Sequence, residues 1–236
     1  MTEHDLLAVL GWCREGEREL LERALQPVDL GEPSALPGWS RAHLVAHLAR
    51  NADALVNLVN WAATGVVTPM YPSTEARGAQ IEADVPQSPG WLRERLSSSS
   101  ANLLERLADL PPDGWQAEVG TAQGRTVPAS EIPWMRTRES FIHLVDLRLD
   151  FDFGDIPDAV TDALLDDVTA SLGARDECPA ALLEPTDRER SWSLGTPGAA
   201  SPVLRAPAAE LLAWVTGRAA ADSPALTTAP ELPRWL

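Results

Sequence analysis

The stretch "SRAHLVAHLARNADALVNLVNWAATG", residues 40–65, decides the fold. Ser40 is a residue type that caps helices, because its hydroxyl accepts from the free N–H groups of a first turn. Gly65 is a type that ends them, because it enters the left-handed region without a Cβ clash. Between the two, Leu44, Leu48, Ala52, Leu55, Val59 and Ala62 recur three or four residues apart. That spacing lays one apolar stripe along a helix predicted over 41–64. The same helix carries His43 and His47, one turn apart, in a chain with 4 histidines. The pair has two readings: a metal-binding turn, or the polar edge of an amphipathic helix.

Working outward, helical periodicity also runs through residues 3–26, with Thr2 as the candidate cap. The loop "PVDLGEPSALPGW" separates these two helices. A shorter helix is predicted at about 73–84 and a longer one at about 90–109, broken by "PQSPG" and ended by "LPPDG". Residues 115–127 carry Gly120 and Gly124 and read as a loop or hairpin. Ser130 is the candidate cap of a long helix over 131–149, with Pro133 tolerated in its first turn. Four long helices and a short one predict a four-helix bundle.

The texture changes after "FDFGDIP". A helix at 157–173 is followed by short strand-like runs, "AALLEPT", "RSWSLG" and "PVLRAP", then a helix from Ala208 to Thr216 and an extended, Pro-rich tail from Ala220. The fold class expected is therefore α followed by α+β. A bundle over 1–153 precedes a small α+β domain over 154–236.

Composition narrows the chemistry. The 236 residues carry a formal charge of −16, a field that opposes nucleic acid and anionic lipid. All 19 basic residues are arginine, which removes Schiff-base and P-loop lysine chemistry. No apolar run approaches the ~20 residues of a membrane helix, and the acidic start lacks a signal peptide's basic region. A cytoplasmic, membrane-free, monomeric protein is expected, with a small anionic molecule as its partner. Cys13 falls among apolar helix positions and Cys178 in a loop, so neither is expected to be a nucleophile.

The predicted helix over 131–149 holds Glu139 and His143, again four apart and on one face. Bundle cores hold metals with side chains from facing helices. His47 with Glu139 and His143 makes a two-histidine, one-carboxylate set that suits Zn²⁺ or Fe²⁺ with an open position. The plain alternative is an ordinary i,i+4 pair on each helix. Asp146 is expected to be a surface carboxylate, its other reading being a residue that orients His143.

Several stretches resemble the mycothiol-dependent maleylpyruvate isomerase family, whose bundles belong to the DinB-like superfamily. They are "LPGWSRAHLVAHLARNADAL", "NWAATGVVTPMYPSTEAR", "TAQGRTVPASEIPWMRTRESFIHLVDL", "TGR" at 216–218 and the terminal "PRWL". The resemblance implies a DinB-like metal-binding bundle, a smaller αβ domain and a divalent metal, with zinc expected. It implies His47, Glu139 and His143 as ligands, His43 as a non-ligand, and Arg218 as a functional arginine. It implies mycothiol as the thiol cofactor, which makes an internal cysteine nucleophile unnecessary. Gln123 and Arg125 in "TAQGRT" are candidates to touch that thiol or the substrate, and Tyr71 either lines the pocket or packs. The activity implied is cis–trans isomerisation of maleylpyruvate to fumarylpyruvate, a step of gentisate degradation. The rival functions are a mycothiol S-transferase, a non-catalytic metal or thiol-binding regulator, and an iron oxygenase.

Overall fold

The computed structural model describes residues 5–219, 226–227 and 229–235. Among these, the chain forms two compact units that divide between Asp150 and Phe151. The first holds helices α1 (Leu6–Ala24), α2 (Arg41–Thr64), α3 (Thr74–Asp84), α4 (Pro89–Asp109) and α5 (Ile132–Asp146). It also holds a short antiparallel hairpin, β1 (Glu118–Gly120) and β2 (Thr126–Pro128). No helix among the described residues is long and apolar enough to cross a membrane.

Helix α2 has the predicted bounds. Ser40 occupies the cap position with extended backbone, and Gly65 closes the helix at φ +72°. Leu44, Leu48, Ala52 and Leu55 are fully buried, so the stripe faces the bundle core. Burying a leucine side chain of this kind contributes about 1.5–3 kcal/mol. Helix α2 packs on both α4 and α5, and α1 packs on α5. Gly16 permits the last contact: a Cβ there would lie 3.1 Å from Phe141 Cε2 and 3.2 Å from Ser140 Cβ.

The bounds of two helices differ from expectation. Helix α1 begins after Asp5, whose carboxylate accepts from the Leu7 N–H; Thr2 and His4 lie outside the described residues. Ser130 does not cap α5. It sits in a 3-10 turn, Ala129–Glu131, held by the Ala129 N–H donating to the Ala117 carbonyl. Pro133 does fall in the first turn of α5. The helix stops at Asp146 because Arg148 enters the left-handed region at φ 52°. There Arg41 captures the carbonyls of Leu147 and Arg148, at 2.9 and 3.0 Å, before they can accept from a further turn.

The second unit contains α6 (Asp158–Gly173), strands β3 (Ala181–Leu183), β4 (Trp192–Leu194) and β5 (Val203–Leu204), and α7 (Ala208–Val215). Its sheet has the order β4-β3-β5, with β3 antiparallel to β4 and parallel to β5. The unit is thus α+β, as the change in texture predicts. Part of the expected extended tail, including Ala220, lies outside the described residues.

A buried polar network crosses the bundle. Arg136, fully buried, grips Glu17 through Nε–Oε1 at 2.8 Å and Nη2–Oε2 at 3.0 Å. Its Nη1 donates to the Leu48 carbonyl and to Asn51 Oδ1, and its Nη2 to Ser100 Oγ. Ser140 Oγ donates to Glu17 Oε1. One guanidinium therefore joins α1, α2, α4 and α5. A buried bidentate pair satisfied this fully specifies how helices meet, because every misaligned packing strands a charge.

Candidate metal centre

His47 and His43 share a helix but have different fates. His43 stands in the first turn of α2, where its Nδ1 accepts from the Ser40 N–H at 3.1 Å and lies 2.8 Å from Ser40 Oγ. It completes the cap of its own helix, with its Nε2 toward Glu82 at 3.9 Å. His47, one turn further on, is 2% exposed and turns into the bundle.

Helix α5 meets it there with Glu139 and His143. Nε2 of His47 is 2.9 Å from Glu139 Oε2, and Nε2 of His143 is 3.3 Å from the same oxygen. The two imidazole rings stand 4.9 Å apart and nearly perpendicular. One ligand atom from each of the three residues lies within 4.8 Å of the others. Atoms bound to one tetrahedral zinc at ~2.0–2.1 Å stand roughly 3.3 Å apart, so small movements convert this cluster into a ligand set.

The electrostatics suit a cation. Burial favours the neutral form of Glu139, but hydrogen bonds with His143 and His47 outweigh it and hold the carboxyl well below the usual range. Burial pushes the His47 imidazole down, which keeps it neutral and able to give a lone pair. Burial also opposes charge on His143, but hydrogen bonds with Asp146 and Glu139 outweigh it and raise that imidazole.

Asp146 is not the surface carboxylate expected from its spacing. It is fully buried, and its Oδ2 lies 2.8 Å from His143 Nδ1. Accepting from that Nδ1–H turns Nε2 toward Glu139, the arrangement by which carboxylates orient metal-binding histidines. The Ala35 N–H donates to the Asp146 carbonyl, which ties the α1–α2 loop to this turn of α5.

Two further residues complete the surroundings. Trp39 stacks on His43 and meets the His47 ring edge-on, with centroids at 5.9 and 5.7 Å. Arg77 of α3 donates from Nη2 to His47 Nδ1 at 3.2 Å and lies over the Tyr71 ring. Tyr71 is half-buried and also packs against the bundle core. No spacing rule finds these contacts, since Arg77 and His47 are 30 residues apart.

The hairpin candidates of the first unit lie elsewhere in the bundle. Gln123 and Arg125 are exposed at the tip of the β1–β2 hairpin, where Gly124 turns the chain at φ +79°. That hairpin is anchored by Gly120 against Trp61, at the far end of α2 from His47. The structure does not bring either side chain among the partners of the three ligand atoms. Arg218 belongs to the second unit, where Gly217 at φ +74° ends α7 and Arg218 Nη1 donates to the Thr216 carbonyl. Cys13 is buried in the bundle, and burial, before the Glu17 charge, pushes its thiol up to about 12.

The family model described as the mycothiol maleylpyruvate isomerase N-terminal domain matches residues 14–148. The chain belongs to the mycothiol-dependent maleylpyruvate isomerase family. The match runs from within α1 past the end of α5 and includes every residue of the triad. A crystal structure of a mycothiol-dependent maleylpyruvate isomerase is similar at 38% identity over 100% of both chains, with a TM-score of 0.87. A histidine-to-alanine mutant of such an isomerase is similar at 37% identity over 100% of both chains, with a TM-score of 0.89. No curated protein matches the chain. The family likeness thus extends through the α+β unit as well as the bundle, and the family is one of enzymes.

Proposed function

We propose that this protein is a mycothiol-dependent isomerase that converts maleylpyruvate to fumarylpyruvate, with a divalent cation held by His47, Glu139 and His143. The observation that carries the reading is the full-length likeness, at 38% identity, to a solved enzyme of that description. The chemistry is consistent with the site. Rotation about a conjugated double bond needs the bond order to fall transiently. Mycothiol supplies, when bound, a thiolate whose reversible addition and expulsion provides that fall and leaves the thiol unchanged. A zinc ion supplies a lowered thiol pKa and polarisation of a carbonyl oxygen. Two imidazoles and one carboxylate, leaving a position open, suit zinc with a sulfur ligand.

The chain's own residues do the rest. Glu139 brings the negative charge that the cation requires, and the two histidines stay neutral donors in the bound form. Asp146 holds His143 in register. Trp39 packs edge-on against the His47 ring. Arg218 is proposed to pair with a substrate carboxylate and to steady the enolate charge. Cys13 does not supply the sulfur, since it is buried and burial pushes its thiol up to about 12.

The test is to give zinc-loaded protein maleylpyruvate with and without mycothiol and to follow both product and free thiol. Isomerisation that requires thiol and does not consume it supports the proposal. Stoichiometric loss of thiol identifies a transferase, and thiol-independent turnover removes mycothiol from the mechanism. Arg218→Ala is expected to keep zinc and lose turnover.

A further inference from the structure

Arg77 is a cation placed directly against a proposed ligand, and its contacts are unusual for this chain. An arginine only donates hydrogen bonds. Its Nη2 at 3.2 Å from His47 Nδ1 therefore makes Nδ1 the acceptor, so the ring proton sits on Nε2 and points to Glu139 Oε2. A histidine that gives its Nε2 lone pair to a cation carries the proton on Nδ1 instead. That N–H would face the Arg77 N–H, donor against donor. Cation binding and the Arg77–His47 bond exclude one another, so loading the site releases the guanidinium.

The released group has little freedom to leave. Helix α3 is clamped to α2 at its end by Arg50, which grips Asp84 through Nε–Oδ2 at 2.6 Å and Nη2–Oδ1 at 2.7 Å. The loop before α3 is held by Asn57, which donates to the carbonyls of Pro69 and Met70. The Tyr71 ring lies 5.8 Å from the guanidinium carbon and provides a surface for it. In a chain with 35 acidic residues, no carboxylate among the described residues pairs with Arg77. Its partners are the His47 imidazole and the Tyr71 phenol ring.

We propose that Arg77 is the carboxylate anchor of this site, freed from His47 when the cation binds and then paired bidentately with a carboxylate of the substrate. The inference rests on the reading that the site receives an organic dicarboxylate. A guanidinium matches a carboxylate with two parallel N–H donors, which a lysine-type point charge does not reproduce. The anchor would fix the substrate's distance from the cation and so favour short dicarboxylates over monocarboxylates.

The test measures binding separately from turnover. Zinc-loaded wild type, Arg77→Lys and Arg77→Gln are titrated calorimetrically with maleate in the absence of thiol, and zinc affinity is measured by chelator competition. We expect Arg77→Gln to lose roughly ten- to a hundredfold in maleate affinity, as removal of a charged hydrogen-bond partner does, with Arg77→Lys between. Zinc affinity should hold or tighten, because the competing contact to His47 is gone. In turnover the change should fall on substrate KM, with thiol KM unaltered. Equal maleate binding by wild type and Arg77→Gln overturns the proposal, as does loss of zinc in step with loss of maleate. Arg77-dependent maleate binding in a protein without isomerase activity upholds the anchor and removes the isomerase reading.

Discussion

His143 Nδ1 lies 2.8 Å from Asp146 Oδ2, and that carboxylate has no exposure to solvent. A buried carboxylate on a histidine does two things: it sets the tautomer and it raises the basicity of the other nitrogen. Asp146→Asn keeps an acceptor and removes the charge. We expect zinc affinity to fall about 10–100-fold in that variant, with the helical fold retained. Chelator competition measures it, and unchanged affinity would make Asp146 a residue of the fold alone.

The two histidines of α2 should separate cleanly. His47→Ala should abolish zinc retention while leaving a folded protein, because its ring faces Glu139. His43→Ala should keep zinc and cost about 1 kcal/mol, the usual loss when a helix cap is removed. Zinc content by atomic emission and stability by urea titration distinguish the two. Equal loss of zinc would show that His43 is a ligand.

Acid should weaken the bundle through Glu17. Burial favours its neutral form, but Arg136 outweighs burial and lowers the carboxyl below its ordinary value. A carboxylate with a depressed folded pKa contributes stability above its unfolded value, ~4.3, and loses it as pH falls through the folded value. Glu17→Gln leaves Arg136 buried and unpaired, so we expect a cost of about 3–5 kcal/mol at neutral pH. The gap between variant and wild type should shrink below pH ~4. Urea midpoints across the pH range test this, and a gap that stays constant would exclude Glu17 as its source.

The sulfur of the reaction should come from outside the chain. Cys13 is buried and its thiol stands near 12, so it carries almost no thiolate at neutral pH. Burial also raises Cys178. We expect the native enzyme to keep its turnover after iodoacetamide treatment. The double variant Cys13→Ala, Cys178→Ser should remain active once a stability loss at Cys13 is allowed for. Collapse of kcat in a folded double variant would place a protein thiol in the mechanism.

Local chemistry made much of the architecture legible. The bounds of α2 follow from Ser40, Gly65 and the stripe between them, all within one helix. The three short runs after α6 form strands at Ala181–Leu183, Trp192–Leu194 and Val203–Leu204. The end of α5 was hidden because Arg41, 106 residues before Leu147, takes the carbonyl that would have continued the helix. Ser130 caps no helix because the Ala117 carbonyl, just before β1, draws the chain into a 3-10 turn first.

The sequence by itself determined which residues point the same way along each helix. His43 and His47 share one face of α2, and Glu139 and His143 share one face of α5, because side chains four apart project alike. Its resemblance to a family singled out His47, Glu139 and His143. Only the tertiary structure decided which turns of the two helices face one another, because that depends on packing between segments 92 residues apart. The Arg136–Glu17 pair and the Gly16–Phe141 contact set the approach of the helices. At that approach His47 meets Glu139 while His43 closes its own helix, Asp146 is carried inward, and Arg77 comes to rest on His47. Spacing gives direction within a helix, and burial of complementary charge gives depth between them.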